Sequence, residues 1–316
     1  MRSRLIDTGD PDLVLREIVT DRLTLRFLPS VGGRLLSLAV DGSELLWHNP
    51  EIFGDGFVVA RPRSTWPPVD GIAGSWTNVG GSKSWPAPQG TAGPSQWDGP
   101  PDPVLDSGVW SWHETHLTGV TRVEMSSPPD PRTGLRMTRR FDIPDRGLTF
   151  TQRLDLRNVS SRTVRWAPWE VCQVGGTPPG GAARVRVATS DHTAANLGDY
   201  LGSLALVPTA QGFDVPVQDA IGKRGFPTAS GAIAWVNADG ASVRLRFHPH
   251  PEGEYPDHGS RAEVWVQCPV DGPVPGLDGY ACRDYYLELE VLGPLATLRP
   301  GEATDFEIQW EAVRAG

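Results

Sequence analysis

An all-β, antiparallel sandwich is the fold class that this 316-residue chain predicts. Three observations point to it. Apolar and polar residues alternate with period two in run after run, the mark of a half-buried strand. Turn signals such as Asp-Gly separate the runs. No stretch of helix-forming length, about 12 residues, carries an i, i+3, i+4, i+7 apolar stripe free of glycine and proline.

Taken in order, RLTLRF (22–27) and RLLSLAV (34–40) open the strand pattern. Asp41-Gly42 then predicts a hairpin of type I′ or a near relative before SELLW. Residues 50–108 are weakly periodic and proline-rich, yet include Trp66, Trp76, Trp85 and Trp97. So long a loop region is either functional or disordered, and its aromatics argue for order. LTFTQRLDL (148–156), SVRLRFH (242–248), AEVWVQ (262–267) and YYLELEVL (285–292) complete the clearest strands. Asp239-Gly240 sits before SVRLRF as a second hairpin signal, and a turn at 300–302, PGE, joins LATL to FEIQW. No repeat or linker interrupts residues 1–316, so we expect one domain with long loops over one face.

Composition narrows the function classes. Hydrophobic residues make up 39% and charged residues 21%, enough for a core and too ordered a mixture for wholesale disorder. A net charge of -9 without basic runs argues against nucleic acid as partner. The N-terminal stretch lacks the apolar core of a signal peptide, and no apolar run is long enough to span a bilayer. Cys172, Cys268 and Cys282 have no metal-type spacing and are expected to be reduced thiols of a cytoplasmic protein. Arginine-, alanine- and glycine-rich usage suggests a bacterial source. Neither a nucleotide loop nor a nucleophile elbow is present, and no cofactor is expected.

Some segments resemble a known family. LPSVGGRLLSLAVDGSELLWHNP (28–50) is similar to the first hairpins of the galactose-mutarotase-like, or aldose 1-epimerase, superfamily. GGSKSWP (80–86) resembles a segment of its hexose-phosphate mutarotase branch. The likeness is strongest to an uncharacterised branch that joins GG-x-K-x-WPAPQ to LDSG (105–108), YPD (255–257) and YLELEVLGPLATLRPGE (286–302). The resemblance implies a super-sandwich with a sugar pocket on a concave sheet, worked by a glutamate base and a histidine acid. Opening a hemiacetal needs one group to take a proton and another to give one. This chain departs from the pattern at three places. VRWAPWEVCQVGG (164–176) has Trp169 or Glu170 where the acid histidine is expected, VWVQ ends in Gln267 where a base glutamate is expected, and Asp106-Ser107-Gly108 meets an earlier histidine.

The candidate residues follow from both lines of reasoning. Glu263, Trp265 and Gln267 share one face of a strand and would present a carboxylate, an aromatic platform and an amide. Glu263 and Glu170 are candidate bases, each with a structural ion pair as the alternative role. His113, on the far face of WSWHETH (110–116) from Glu114 and His116, is a candidate acid or an ordinary strand residue. Lys83 is one of two lysines in the chain, the other being Lys223, and is read as part of a rigid rim over the ligand. Trp85 and Trp169 are read as sugar-stacking platforms or core, and Gln89, Gln173, Asp106 and Asp257 as polar contacts. His248, His250 and Glu254 form a weak metal signal broken by Pro249 and Pro251, so no metal is expected. The expected ligand is a carbohydrate-like small molecule, converted by acid/base chemistry of the epimerase type. Two alternatives stay open. One is an enzyme of a specialised biosynthetic pathway catalysing dehydration, cyclisation or isomerisation; the other is a binding module without catalysis.

Overall fold

The computed structural model describes residues 1–91, 93, 95–176 and 181–314. Nearly every described element is a strand, and the strands form two large sheets, one of twelve strands and one of ten. All pairings between neighbouring strands are antiparallel, so the expected fold class is the observed one. Helical structure among the described residues is limited to single turns, such as Ala73–Ser75 and Pro256–Gly259.

The middle of the twelve-stranded sheet holds the strands that matter most. In spatial order they are Arg34–Val40, Ser82–Ala87, Val164–Gly175, Tyr286–Leu292, Ala262–Gln267 and Ile221–Phe226. Four of the six were readable as alternating runs or as family-like segments, and Ile221–Phe226 was not singled out. Ser82–Ala87 was expected to be loop, because Pro86 and Pro88 break the pattern. It is nevertheless a fully buried strand, and Pro86 lies opposite Pro168 of the next strand. Pairing two prolines leaves neither strand with an unanswered amide at that point.

The Asp41-Gly42 hairpin has both turn residues in the left-handed region, φ 48 and 83°, as a type I′ turn requires. At the second signal only Gly240 is left-handed, φ 83°, so the loop there is longer. The turn at 300–302 carries the chain from the twelve-stranded sheet into the ten-stranded one, because Ala296–Leu298 pairs with the former and Ala303–Val313 with the latter.

Between the sheets lies the main core. Val264, Val266, Leu287, Leu289 and Val291 point into it from one sheet, and Phe141, Leu154, Leu245 and Trp310 from the other. One polar cluster crosses this core. Glu170, from the twelve-stranded sheet, meets Arg139 of the ten-stranded sheet at 2.8 Å, and both are fully buried. Ser82 and Ser84 also donate to Glu170, and Gln152 Nε2 donates at 2.7 Å. Trp310 Nε1 closes the cluster by donating to Gln152 Oε1 at 2.8 Å. A buried ion pair of this kind is tolerated only when its polar atoms are largely answered; here both Glu170 oxygens are, while Arg139 Nε has no partner.

Candidate functional site

Side chains of the same strands that alternate away from the core line a cavity of about 370 Å³ on the opposite face of the twelve-stranded sheet. Register builds its floor. Lys83 and Trp85 stand next to Val171 and Trp169; Gln173 stands opposite Glu288; Glu263, Trp265 and Gln267 stand opposite Glu290, Glu288 and Tyr286. Lys223 stands opposite Trp265 on the outer strand. Because side chains alternate, one period-two rule delivers all of these to one surface. The walls come from loops: Trp76 and Gln89 from the 50–108 region, Asp257 from the YPD turn, and Tyr280 from the loop after Cys268. Tyr200 adds an edge-strand aromatic 5.5 Å from Trp265.

Two lysines and three glutamates dominate the floor. Lys223 Nζ is 2.5 Å from Glu263 Oε2 and 2.8 Å from Glu290 Oε2. It also sits 4.4 Å from the centre of the Trp169 ring, whose Nε1 donates to Glu290 Oε2 at 2.9 Å. The Lys223–Glu263 approach is an ion pair by distance, yet neither Glu263 oxygen has a partner in hydrogen-bonding geometry, and Glu290 Oε1 has none either. Two carboxylates therefore share one ammonium. Burial pushes the Glu263 carboxyl well above the usual carboxylate range, and the charges of Glu290 and Asp257 add to this against Lys223. Glu290 is raised by burial and by Glu288. Burial works against the Lys223 charge, but the two glutamates outweigh it and hold that ammonium above its ordinary value.

Lys83 does not stand on a rim as expected. It is buried under the floor, 3.1 Å from Glu288 Oε1 and 4.9 Å and 5.4 Å from the Trp85 and Trp76 ring centres. Burial lowers its pKa, with Glu288 acting the other way. Gln173 donates to the same Glu288 oxygen at 2.8 Å. The lysine thus answers Glu288 and supports two indoles from beneath.

The other candidates divide cleanly. Trp85, Gln89, Trp169, Asp257 and Trp265 line the cavity, and the buried Trp85 Nε1 has no partner. Gln267 is buried behind it, donating to the Cys268 carbonyl at 2.8 Å and accepting from Trp265 Nε1 at 3.4 Å. Asp106 lies off the lining and acts through Trp76: it accepts from Trp76 Nε1 at 2.9 Å while Arg34 holds it at 2.5 Å. Glu170 faces the core, on the wrong side of its strand to reach the cavity. His113 is exposed on the edge strand Ser111–Leu117 of the ten-stranded sheet, bonded to Thr115 at 3.1 Å. Among the described residues, no group of three or more His, Cys, Asp or Glu is arranged to hold a metal ion, and Glu254 is engaged by Arg165. Among the described residues, no helix is long and apolar enough to cross a membrane. The three cysteines are free.

Glu288, Glu290, Tyr286 and Lys223 were not singled out from sequence. The signal was present. In YLELE the alternation places Tyr286, Glu288 and Glu290 on one face, and Lys223 shares with Lys83 the rarity that drew attention to the latter.

No family model and no curated protein matches the chain. Solved structures do. A galactose mutarotase-like protein from Lactobacillus casei superposes with TM-score 0.58 at 10% identity, covering 95% of this chain and all 100% of the other. Another from Clostridium acetobutylicum gives 0.55 at 11%, covering 99% and 98%. A TPR-domain containing protein from Parabacteroides distasonis gives 0.60 at 13% over 95% of this chain, which spans 47% of that protein. At such identities the likeness establishes the fold, a galactose-mutarotase-like β-sandwich, and not the reaction.

Proposed function

We propose that the cavity binds a sugar or sugar-like polyhydroxylated molecule and converts it by cofactor-free acid/base chemistry of the aldose 1-epimerase kind. The observation that carries this reading is the Glu263–Lys223–Glu290 cluster on the floor of an aromatic-lined cavity. Indole faces suit the C–H faces of a sugar ring, and carboxylates suit its hydroxyls. A carboxyl whose hold on its proton is strengthened by burial near a second one, with a single cation between them, is a group suited to give and take a proton. Glu290 reaches the cavity and is the group that takes the anomeric hydroxyl proton. Glu263, behind it, holds the proton that the pair retains. Asp257 is the carboxyl on the opposite wall.

Gln267 supports a second reading, a binding module without turnover, because an amide stands where the resemblance places a base and is already committed to the Cys268 carbonyl. Exchange NMR on free aldoses separates the two. Catalytic amounts of protein should accelerate exchange between the anomeric signals, and Glu290→Gln should slow it about 100-fold or more. Broadened lines without faster exchange would leave the binding module. Unchanged exchange rates in Glu290→Gln would remove Glu290 from the chemistry.

A further inference from the structure

Charge around the cavity is unbalanced. Asp257, Glu263, Glu288 and Glu290 supply four carboxyl groups on or directly behind its lining, and Lys83 and Lys223 supply the two ammonium groups. Among the described residues, no arginine lines it. Both lysines are already spent, one on Glu288 and the other on Glu263 and Glu290. Arg34, which lies behind Lys83, is likewise taken by Asp106.

The buried polar atoms without partners lean the same way. Around the floor, among the described residues, Glu290 Oε1, Gln173 Oε1 and the unprotonated Glu263 oxygen are acceptors, while the unpartnered side-chain N–H donors are Trp85 Nε1 on the lining and Arg34 Nε behind Lys83. Glu290 and Trp85 open onto the cavity, and each is at least nine-tenths buried. A ligand that completes this set must donate more hydrogen bonds than it accepts. The walls add π-faces at Trp76, Trp265, Tyr200 and Tyr280, a lining that attracts a cation at its centre.

Resting on the carbohydrate reading above, we infer that the ligand is a cationic polyol, an amino sugar or related amine-bearing ring, whose ammonium seats near Glu290 among the aromatic walls. An anionic sugar, phosphorylated or carboxylated, meets no free cation here and faces an excess of carboxylates. An uncharged sugar fits the walls but leaves the acceptor surplus unanswered.

Calorimetric titration of the full chain with four probes tests this: glucosamine, glucose, N-acetylglucosamine and glucose 6-phosphate. Glucosamine should bind about tenfold or more tightly than glucose or N-acetylglucosamine, and glucose 6-phosphate should bind weakest. The preference should shrink as salt is raised and should collapse in Glu290→Gln. The salt series on the unmodified chain keeps the test valid if that variant does not fold. Equal affinities for glucosamine and glucose, or preference for the phosphate, would overturn the cationic assignment and leave the carbohydrate reading standing. Binding of none of the four, with no acceleration of anomeric exchange, would overturn both.

Discussion

Glu263 is fully buried, has a single cation beside it and shares that cation with Glu290. Its elevated pKa is therefore a statement about stability. A folded-state value above the unfolded one means that the folded chain keeps the proton longer. The resulting stabilisation is complete below the usual carboxylate value of about 4.3 and is lost as pH rises through the elevated one. Lys223 is shifted in the same sense, but its contribution is lost only above about pH 10.4. As pH rises above about 4.3, then, melting temperature should decline with pH. Glu263→Gln, which removes the charge that the site tolerates badly, should flatten that decline. A steeper decline in the variant would contradict the direction assigned to Glu263. His113 is the contrasting case: it is exposed on the other sheet, and His113→Ala should leave the anomeric exchange rate unchanged.

Among the elements, the strand Ser82–Ala87 depends on the glycine pair before it. Gly81 has φ +76°, and a Cβ there would lie 2.5 Å from the Leu35 carbonyl oxygen. Gly119 has nearly the same φ, +77°, and open space around it. Gly81→Ala should thus cost about 2 kcal/mol or more and Gly119→Ala about 1, measured by urea unfolding. Equal costs would show that backbone strain alone sets the requirement. This strand also shows where the sequence was legible and where it was not. Runs exposed on one side, or alternating as cleanly as AEVWVQ, announce themselves: Ala262–Gln267 and Arg34–Val40 lie where the alternation put them. Ser82–Ala87 is buried on both sides and carries a proline, so no period survives to be read. The same limit applies to the site. Alternation identified Glu263, Trp265 and Gln267 as one face, but it cannot tell which face of VRWAPWEVCQVGG meets the other sheet. Glu170 consequently reads as a base in the sequence, whereas in the fold it is paired with Arg139 of the other sheet.

Across the whole molecule, the Glu170–Arg139 pair and its donors form the polar tie between the two sheets. Glu170→Ala strands a buried guanidinium and should cost about 3–5 kcal/mol. Replacing both partners by methionine should cost much less than the single change, since no unpaired charge remains. Urea midpoints of the two variants give the comparison, and a double variant as unstable as Glu170→Ala would mean that Gln152, Ser82 and Ser84 need the carboxylate in their own right. At longer range, the net charge of -9 favours approach of a positively charged ligand at low salt.

Each central strand keeps its two faces apart. On Val164–Gly175, Trp169 and Gln173 belong to the floor while Glu170 and Cys172 belong to the interior; on Tyr286–Leu292, Glu288 and Glu290 are set against Leu287, Leu289 and Val291. Changes at one set of positions are therefore hidden from the other. A lineage built on this sheet can exchange ligand-facing side chains and keep its architecture intact. That separability gives a physical route by which one scaffold diverges in chemistry faster than in shape.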